Sequence, residues 1–163
     1  MNLQEVLDRS IERAGPYLRE SFQMPAHSLN AAQLTGHLAG RLWTIALATV
    51  TAKGEPRVAP VGSLFVDGRF CVPILKSAAR VKQLQRNAAV SASLFDEKDF
   101  ALIVHGTARV IGTDDAGFDD VVAAHRAIDE GRSVLDWGPS DQAAYIVVDP
   151  DRMFTFARHP DRF

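Results

Sequence analysis

The sequence predicts a mostly β protein, an antiparallel β-barrel with flanking helices, although the helices between the strands also allow the label α+β. Five or six short segments are rich in β-forming residues, and few helical segments separate them. Turn dipeptides join neighbouring segments, most clearly Lys53-Gly54 and Asp67-Gly68. Short strands joined by hairpin turns are typical of antiparallel sheets that close into barrels.

The strand predictions follow from apolar runs bounded by turn residues. Trp43–Val50 is almost continuously apolar and therefore reads as a central strand. A charged turn is predicted at Asp96–Asp99, and an Asp149-Pro150 turn divides the last apolar stretch in two. The remaining predicted strand segments are Val58–Val66, Arg69–Leu75, Val90–Phe95, Phe100–Ile111 and the two halves of the divided last stretch, Ala143–Val148 and Met153–Ala157.

Two short helices are predicted before the first strand. Asn2 and Asn30 can cap them, Gly15-Pro16 ends the first, and the second closes near Gly40. Residues Ser21 to Leu29 are interpreted as a connector. Two further helices are predicted between strands, at Ser77–Asn87 and from Asp114 or Asp115 to about Glu130.

Composition places the chain among ordinary globular proteins. With 163 residues, 47% hydrophobic and 23% charged, it is long enough for a single domain, predicted as helices in 1–40 packed on a barrel in 43–158. The net charge of −2 gives no reason to expect nucleic acid or an anionic membrane as partner. Cys71, the single cysteine, is predicted to have a buried and inert thiol. The absence of a visible signal peptide favours a cytoplasmic location.

A basic helix after the third strand is the strongest functional signal. Lys76, Ser77, Arg80 and Lys82 follow that strand directly, and a helix start with nearby cations can bind an anion. Helical geometry puts Arg80 at the border of the packed face and Lys82 on the far side. If Ser77 is the N-cap, the N–H groups of Ala79 and Arg80 are free to bind a phosphate. The alternative is that Ser77 only caps the helix and the cations are solvated.

Other candidate residues give weaker signals. The five histidines show no metal-ligand spacing, and no nucleophile elbow, P-loop or dinucleotide fingerprint is present. Trp137, in a loop with glycine and proline, suits stacking on a planar ligand or plugging the barrel rim. No catalytic acid or base is evident, as is compatible with a cofactor that brings its own reactivity.

Several stretches, in this order and spacing, are similar to pyridoxamine 5'-phosphate oxidase-like, FMN-binding split-barrel proteins. In chain order they are LATVTAKGEPRVAPV at Leu47–Val61, the Asp67-Gly68 hairpin, LKSAARVKQLQRNAAVSASL at Leu75–Leu94 and HGTARVIG at His105–Gly112. The resemblance implies a six-stranded antiparallel Greek-key split barrel. It also implies a homodimer with a cofactor in each of two clefts at the subunit interface.

The resemblance also implies positions for the parts of FMN. The ring would lie along Ala59, Pro60 and Val61, and the ribityl chain beside Val72, Pro73 and Ile74. The family's phosphate-binding trio corresponds to Ala78, Ala79 and Arg80, of which only Arg80 keeps the expected type. Either Ser77 and Lys76 replace the lost contacts or the phosphate is held less tightly.

The functional prediction is therefore an FMN-dependent oxidoreductase that passes hydride or electrons to or from a small substrate. One alternative is a reductase that uses a deazaflavin coenzyme as cosubstrate, and another is a non-catalytic flavin- or haem-binding protein. The predicted cofactor-binding residues are Ala59, Pro60, Val61, Val72, Pro73, Ile74, Lys76, Ser77, Arg80, Lys82 and Trp137.

Overall fold

A computed structural model describes residues 1–96 and 99–163, and within these ranges the chain forms five α-helices and six β-strands. Glu97 and Lys98, in the charged turn predicted at Asp96–Asp99, lie outside the described residues. The helices are α1 (Leu3–Arg13), α2 (Pro16–Ser21), α3 (Ala31–Leu38), α4 (Ala79–Arg86) and α5 (Phe118–Ile128). The strands are β1 (Trp43–Val50), β2 (Pro56–Val66), β3 (Arg69–Leu75), β4 (Ala89–Asp96), β5 (Phe100–Gly112) and β6 (Ala143–Ala157).

The six strands form a closed antiparallel barrel in the order β1-β2-β3-β6-β5-β4. Alternate residues of each strand point inward, as in β1, where Trp43, Ile45 and Leu47 are buried in the main core. Thr49 continues this face, and its hydroxyl donates to the side-chain oxygen of Gln83 at 2.7 Å, which fastens α4 to β1. The predicted mostly β barrel is confirmed.

The last strand corrects the sequence prediction of two strands around an Asp149-Pro150 turn. Residues 143–157 form one strand, β6, which pairs with β5 along its length. The register shifts where His105 pairs with Arg152 and Gly106 with Pro150, which leaves Asp151 as an extra residue. A β-bulge absorbs one residue without ending a strand, so the turn signal produced a bulge here.

Helices α1 and α3 contribute buried apolar residues to the main core of the barrel. The Asn2 and Asn30 side chains accept N–H groups of their helices' first turns, so both predicted caps are confirmed. Residues 16–21 form α2, which the sequence does not predict. Gly15-Pro16 indicates the end of a helix, but proline is also favourable in the first turn of the next one. The buried Ser10 hydroxyl donates to the Val6 carbonyl and accepts from the Met153 N–H, both within 2.8 Å, and so joins α1 to β6.

Helix α5 packs on the outer face of β2, β3 and β6. It starts at Phe118, later than predicted, because the Asp115 carboxylate accepts the Gly112 N–H at 2.8 Å and holds a turn before the helix. The N-cap is Gly117, whose positive φ of 85° favours glycine. A second apolar cluster lies beneath α5 and includes Cys71, which is buried as predicted.

Candidate functional site

The barrel opens between β2 and β3. These strands pair only at Leu64–Val66 with Arg69–Cys71, near their hairpin. Beyond it, the rest of β2 pairs with β1 alone, while the rest of β3 pairs with β6 alone. The two strands therefore diverge and leave an opening with main chain on both sides.

The β2 side of this opening presents main-chain groups. The Thr51 N–H donates to the Glu55 carbonyl at 2.9 Å, and this bond continues the β1–β2 ladder. Because main-chain groups alternate in direction along a strand, those of Val58, Pro60 and Gly62 face the opening. Pro60 therefore loses no ladder bond, and the N–H of Gly62 is directed at the opening.

The β3 side is organised in the same way. The Lys76 N–H donates to the Gln142 carbonyl at 2.8 Å and continues the β3–β6 ladder. The main-chain groups of Pro73 and Leu75 consequently face β2. A proline again occupies a position that needs no N–H. The opening thus has carbonyl oxygens on both walls and an N–H donor on each.

A cavity of about 510 Å³ fills this opening, within the size range of small-molecule sites. Its lining is mainly apolar, with a cation at α4 and an imidazole and a carboxylate at α5. The lining residues are Leu42, Val61, Gly62, Val72, Pro73, Ile74, Leu75, Ser77, Ala78, Arg80, His125, Asp129 and Trp137.

Arg80 supplies the positive charge of the cavity. Its side chain is half-buried, and desolvation lowers the pKa of the guanidinium. Among the residues that the structure describes, no carboxylate forms a salt bridge with Arg80. A desolvated cation without a counter-charge favours an anionic ligand.

The start of α4 differs from the predicted N-cap at Ser77. The N-cap is Ala78, which offers no side-chain cap, and the Ala78 N–H donates to the Leu75 carbonyl at 3.0 Å. This bond closes a turn in which Ser77 precedes the helix. The Ser77 side chain is exposed and lines the cavity beside Arg80. The first-turn N–H groups of Ala79 and Arg80 have no intrahelical acceptor.

The other two predicted cations lie elsewhere. The Lys76 side chain passes over Gly112, close enough that an added Cβ there would meet its Cε and Nζ at 2.6 Å. Lys82 lines a separate cavity of about 350 Å³ on another side of α4, together with Lys53 and Arg86. Arg80 is therefore the basic residue of this helix that the structure brings to the main cavity.

Of the positions predicted to contact the ring and the ribityl chain, some line the cavity and others do not. Val72, Pro73, Ile74 and Val61 line the cavity, whereas Ala59 and Pro60 lie farther along β2. The β1–β2 register directs the main chain of the odd-numbered residues of β2, Ala59 and Val61 among them, toward β1.

The far wall of the cavity is built by α5 and the segment after it. Trp137, which ends a 3-10 turn at Val134–Asp136, lies 53% exposed beside the cavity. His125 and Asp129 occupy one face of α5 because they are four residues apart. The predicted site residues do not include His125 and Asp129, although their i, i+4 spacing is a usable signal. Gly62 and Leu42 also line the cavity, but no sequence pattern marks them as site residues.

His125 is a buried neutral imidazole. Burial lowers its pKa, and the nearby Asp129 and Asp136 carboxylates oppose this effect only in part. Its Nδ1 lies 2.8 Å from the Tyr145 hydroxyl. Burial likewise raises the pKa of Tyr145 to about 12. Among the described residues no group of three or more His, Cys, Asp or Glu could hold a metal ion, and no helix is long and apolar enough to cross a membrane.

Comparison with known families gives one match. Residues 41–156, more than half of the chain, match the family described as pyridoxamine 5'-phosphate oxidase. No curated protein matches the sequence.

Solved structures of several proteins have a similar fold. The haem storage protein HutZ of Vibrio cholerae is 21% identical, with a TM-score of 0.58 over 70% of this chain and 84% of HutZ. An F420 reductase is 20% identical, with a TM-score of 0.54 over 72% and 93% of the two chains. A pyridoxamine 5'-phosphate oxidase-related, FMN-binding protein of Nostoc punctiforme is 14% identical, with a TM-score of 0.53 over 89% and 85%. At these identities the likeness concerns the fold.

Proposed function

Since the chain belongs to the pyridoxamine 5'-phosphate oxidase family, we propose that it is a homodimeric oxidoreductase that binds FMN in the cavity between β2 and β3. It would pass a hydride or electrons between the flavin and a small substrate. The observation that carries the proposal is the half-buried Arg80 guanidinium, which faces an apolar cavity without a carboxylate partner among the described residues.

The residues present fit FMN in kind. Arg80, the Ser77 hydroxyl and the first N–H groups of α4 would bind the phosphate. The diverging strands offer main-chain donors and acceptors, at Gly62 and Leu75 among others, to the polar edge of the ring. Trp137 would cover part of the ring. The flavin supplies the redox chemistry, and the protein supplies orientation and exclusion of water.

A sheet face without charged side chains supports the homodimer. On β2, β1 and β4 the outward positions include Val58 and Phe95, which are 71% and 72% exposed. Ala48 of β1 pairs with Val58 of β2 and with Ser91 of β4, so these three side chains lie on the same face of the sheet. An apolar surface of this kind is typical of an interface, and we propose that a second copy of this chain covers it.

A reductase that uses a deazaflavin coenzyme as cosubstrate is the second candidate. Alanine stands at Ala78 and Ala79, where the family resemblance implies a hydroxyl and a base, and this leaves Arg80 as the cation that lines the cavity. One charged hydrogen bond contributes roughly 1.5–3 kcal/mol, so its loss lowers affinity by about one to two decades. A cofactor that enters and leaves at each turnover tolerates such a lower affinity.

FMN titration of the apoprotein tests the proposal, with Lys82→Ala as the matched control. Arg80→Ala should weaken FMN binding at least about tenfold without unfolding the protein, whereas Lys82→Ala should have little effect. Equal affinity of Arg80→Ala and wild type would eliminate the phosphate site. The absorption spectrum of the purified protein separates the alternatives: flavin bands support the proposal, a Soret band favours haem, and a colourless protein that binds only added deazaflavin favours the second candidate.

A further inference from the structure

The α5 wall of the cavity carries a donor and an acceptor that FMN phosphate binding does not use. His125 is only 2% exposed, yet it lines the cavity together with Asp129. A buried imidazole and a nearby carboxylate are costly to desolvate unless each has a partner. Their hydrogen-bond partners therefore indicate what the wall can bind.

The Tyr145 hydroxyl is the hydrogen-bond partner of His125 Nδ1. Burial raises the pKa of Tyr145 to about 12, so the phenol keeps its proton. The phenol oxygen lies 2.8 Å from Nδ1, where it can donate that proton to the ring. A neutral imidazole that accepts at Nδ1 carries its proton at Nε2. We assign this tautomer to His125, in which Nε2–H is a donor.

Asp129 supplies the acceptor next to this donor. Its Oδ1 accepts from the Arg132 guanidinium at 3.0 Å, while its Oδ2 lies 4.0 Å from His125 Nε2. A separation of 4.0 Å is too long for a hydrogen bond between the two groups. The donor at Nε2 and the acceptor at Oδ2 therefore stand side by side without satisfying one another.

We propose that His125 and Asp129 bind the lactam or imide edge of a planar heterocycle, with Nε2–H donating to its carbonyl and the carboxylate accepting its adjacent N–H. The exposed indole of Trp137 in the same cavity gives such a ring a surface for stacking. The inference rests on the proposed function only in placing the ligand in this cavity. The isoalloxazine ring has this imide edge, and so would a heterocyclic substrate.

Binding of phosphate-free probes tests the pair separately from Arg80. Lumiflavin has the imide N–H, and 3-methyl-lumiflavin lacks it. The wild-type protein should bind lumiflavin at least about tenfold more tightly than the methylated probe. Asp129→Ala should remove this preference, whereas Asp119→Ala, at an exposed carboxylate of the same helix, should keep it.

A second pair of probes, lumazine and 3-methyl-lumazine, distinguishes cofactor from substrate as the source of the imide. If the preference appears with lumazine and the protein binds no flavin, the His125–Asp129 site stands and the FMN proposal fails. Equal binding of methylated and unmethylated probes, a preference that survives in Asp129→Ala, or no binding of either heterocycle would overturn the inference.

Tyr145 acts here as a positioning residue, and Tyr145→Phe tests that role. The nitrogen chemical shifts of His125 should report an Nε2–H tautomer in the wild type and a mixture of tautomers in the variant. Loss of probe preference in Tyr145→Phe should accompany that change. A mixed tautomer already present in the wild type would contradict the assignment, whatever the stability of the variant.

Discussion

Gly106 in β5 packs against the main-chain carbonyl of Asp149 in β6, so closely that a Cβ at this position would collide with the oxygen. The contact lies at the register shift that leaves Asp151 unpaired. The Asp149 carboxylate meanwhile accepts from Arg69 at 2.6 Å and from Arg109 at 3.1 Å. Asp149 thus joins β6 to arginines on both neighbouring strands, β3 and β5, and the absence of a side chain at Gly106 permits the close main-chain contact at the adjoining bulge.

Gly106→Ala should destabilise the protein, because the colliding atoms belong to the main chain and cannot move away cheaply. We expect the free energy of unfolding to fall by about 1–3 kcal/mol in urea titrations. Gly36→Ala is the control: it lies in α3, no atom comes within 4 Å of its added Cβ, and it should stabilise by about 0.4–1 kcal/mol. Unchanged stability of Gly106→Ala would mean that the strands repack around the bulge.

Val58→Lys should convert the proposed dimer to a monomer. A charge in the uncharged face would have to be buried without a partner, which costs several kcal/mol, whereas in the monomer Val58 is exposed and the change costs little. Light scattering after size exclusion measures the mass. Tyr17→Lys, at an 83% exposed residue of α2, should leave the dimer intact. A dimeric Val58→Lys protein would move the interface to another face.

The Cys71 thiol should be inert in the folded protein. Burial raises its pKa to about 12, and the weaker attraction of Arg109 and Arg69 does not offset that effect. The thiolate is the reactive form, so an aromatic disulfide reagent should react at least about a hundredfold more slowly with folded than with urea-unfolded protein. Fast labelling of the folded protein would show that the cluster beneath α5 opens readily.

Acidification should destabilise the fold partly through His125. Its folded pKa lies below the ordinary value of 6.5, chiefly because of burial, so the unfolded chain takes up the proton first as the pH falls. Stability from this group is complete above about pH 6.5 and decreases below it, toward the lowered folded pKa. Unfolding at about pH 7.5 and about pH 5.5 should show a smaller acid loss in His125→Gln than in the wild type.

His159→Gln, at an exposed residue, serves as the control for that comparison and should reproduce the wild-type acid loss. An acid loss in His125→Gln equal to that of the wild type would show that groups other than His125 account for the pH dependence.

Local patterns predicted most of the strands. The apolar run at Trp43–Val50 and the Asp67-Gly68 turn give their elements directly, because alternation and turn chemistry are properties of neighbouring residues. The bulge in β6 has the same local sequence signal as a turn, and only the pairing with β5 distinguishes the two.

The sequence by itself determined the barrel, the caps at Asn2 and Asn30, and the arrangement that distinguishes Arg80 from Lys82, since each depends on spacing within one element. Only the tertiary structure decided where the cavity lies and that His125 and Asp129 share it with Arg80. Those groups come from two helices, α4 and α5, that are far apart in the sequence. Their proximity depends on where two strands stop pairing, a relation between distant segments that local spacing does not encode.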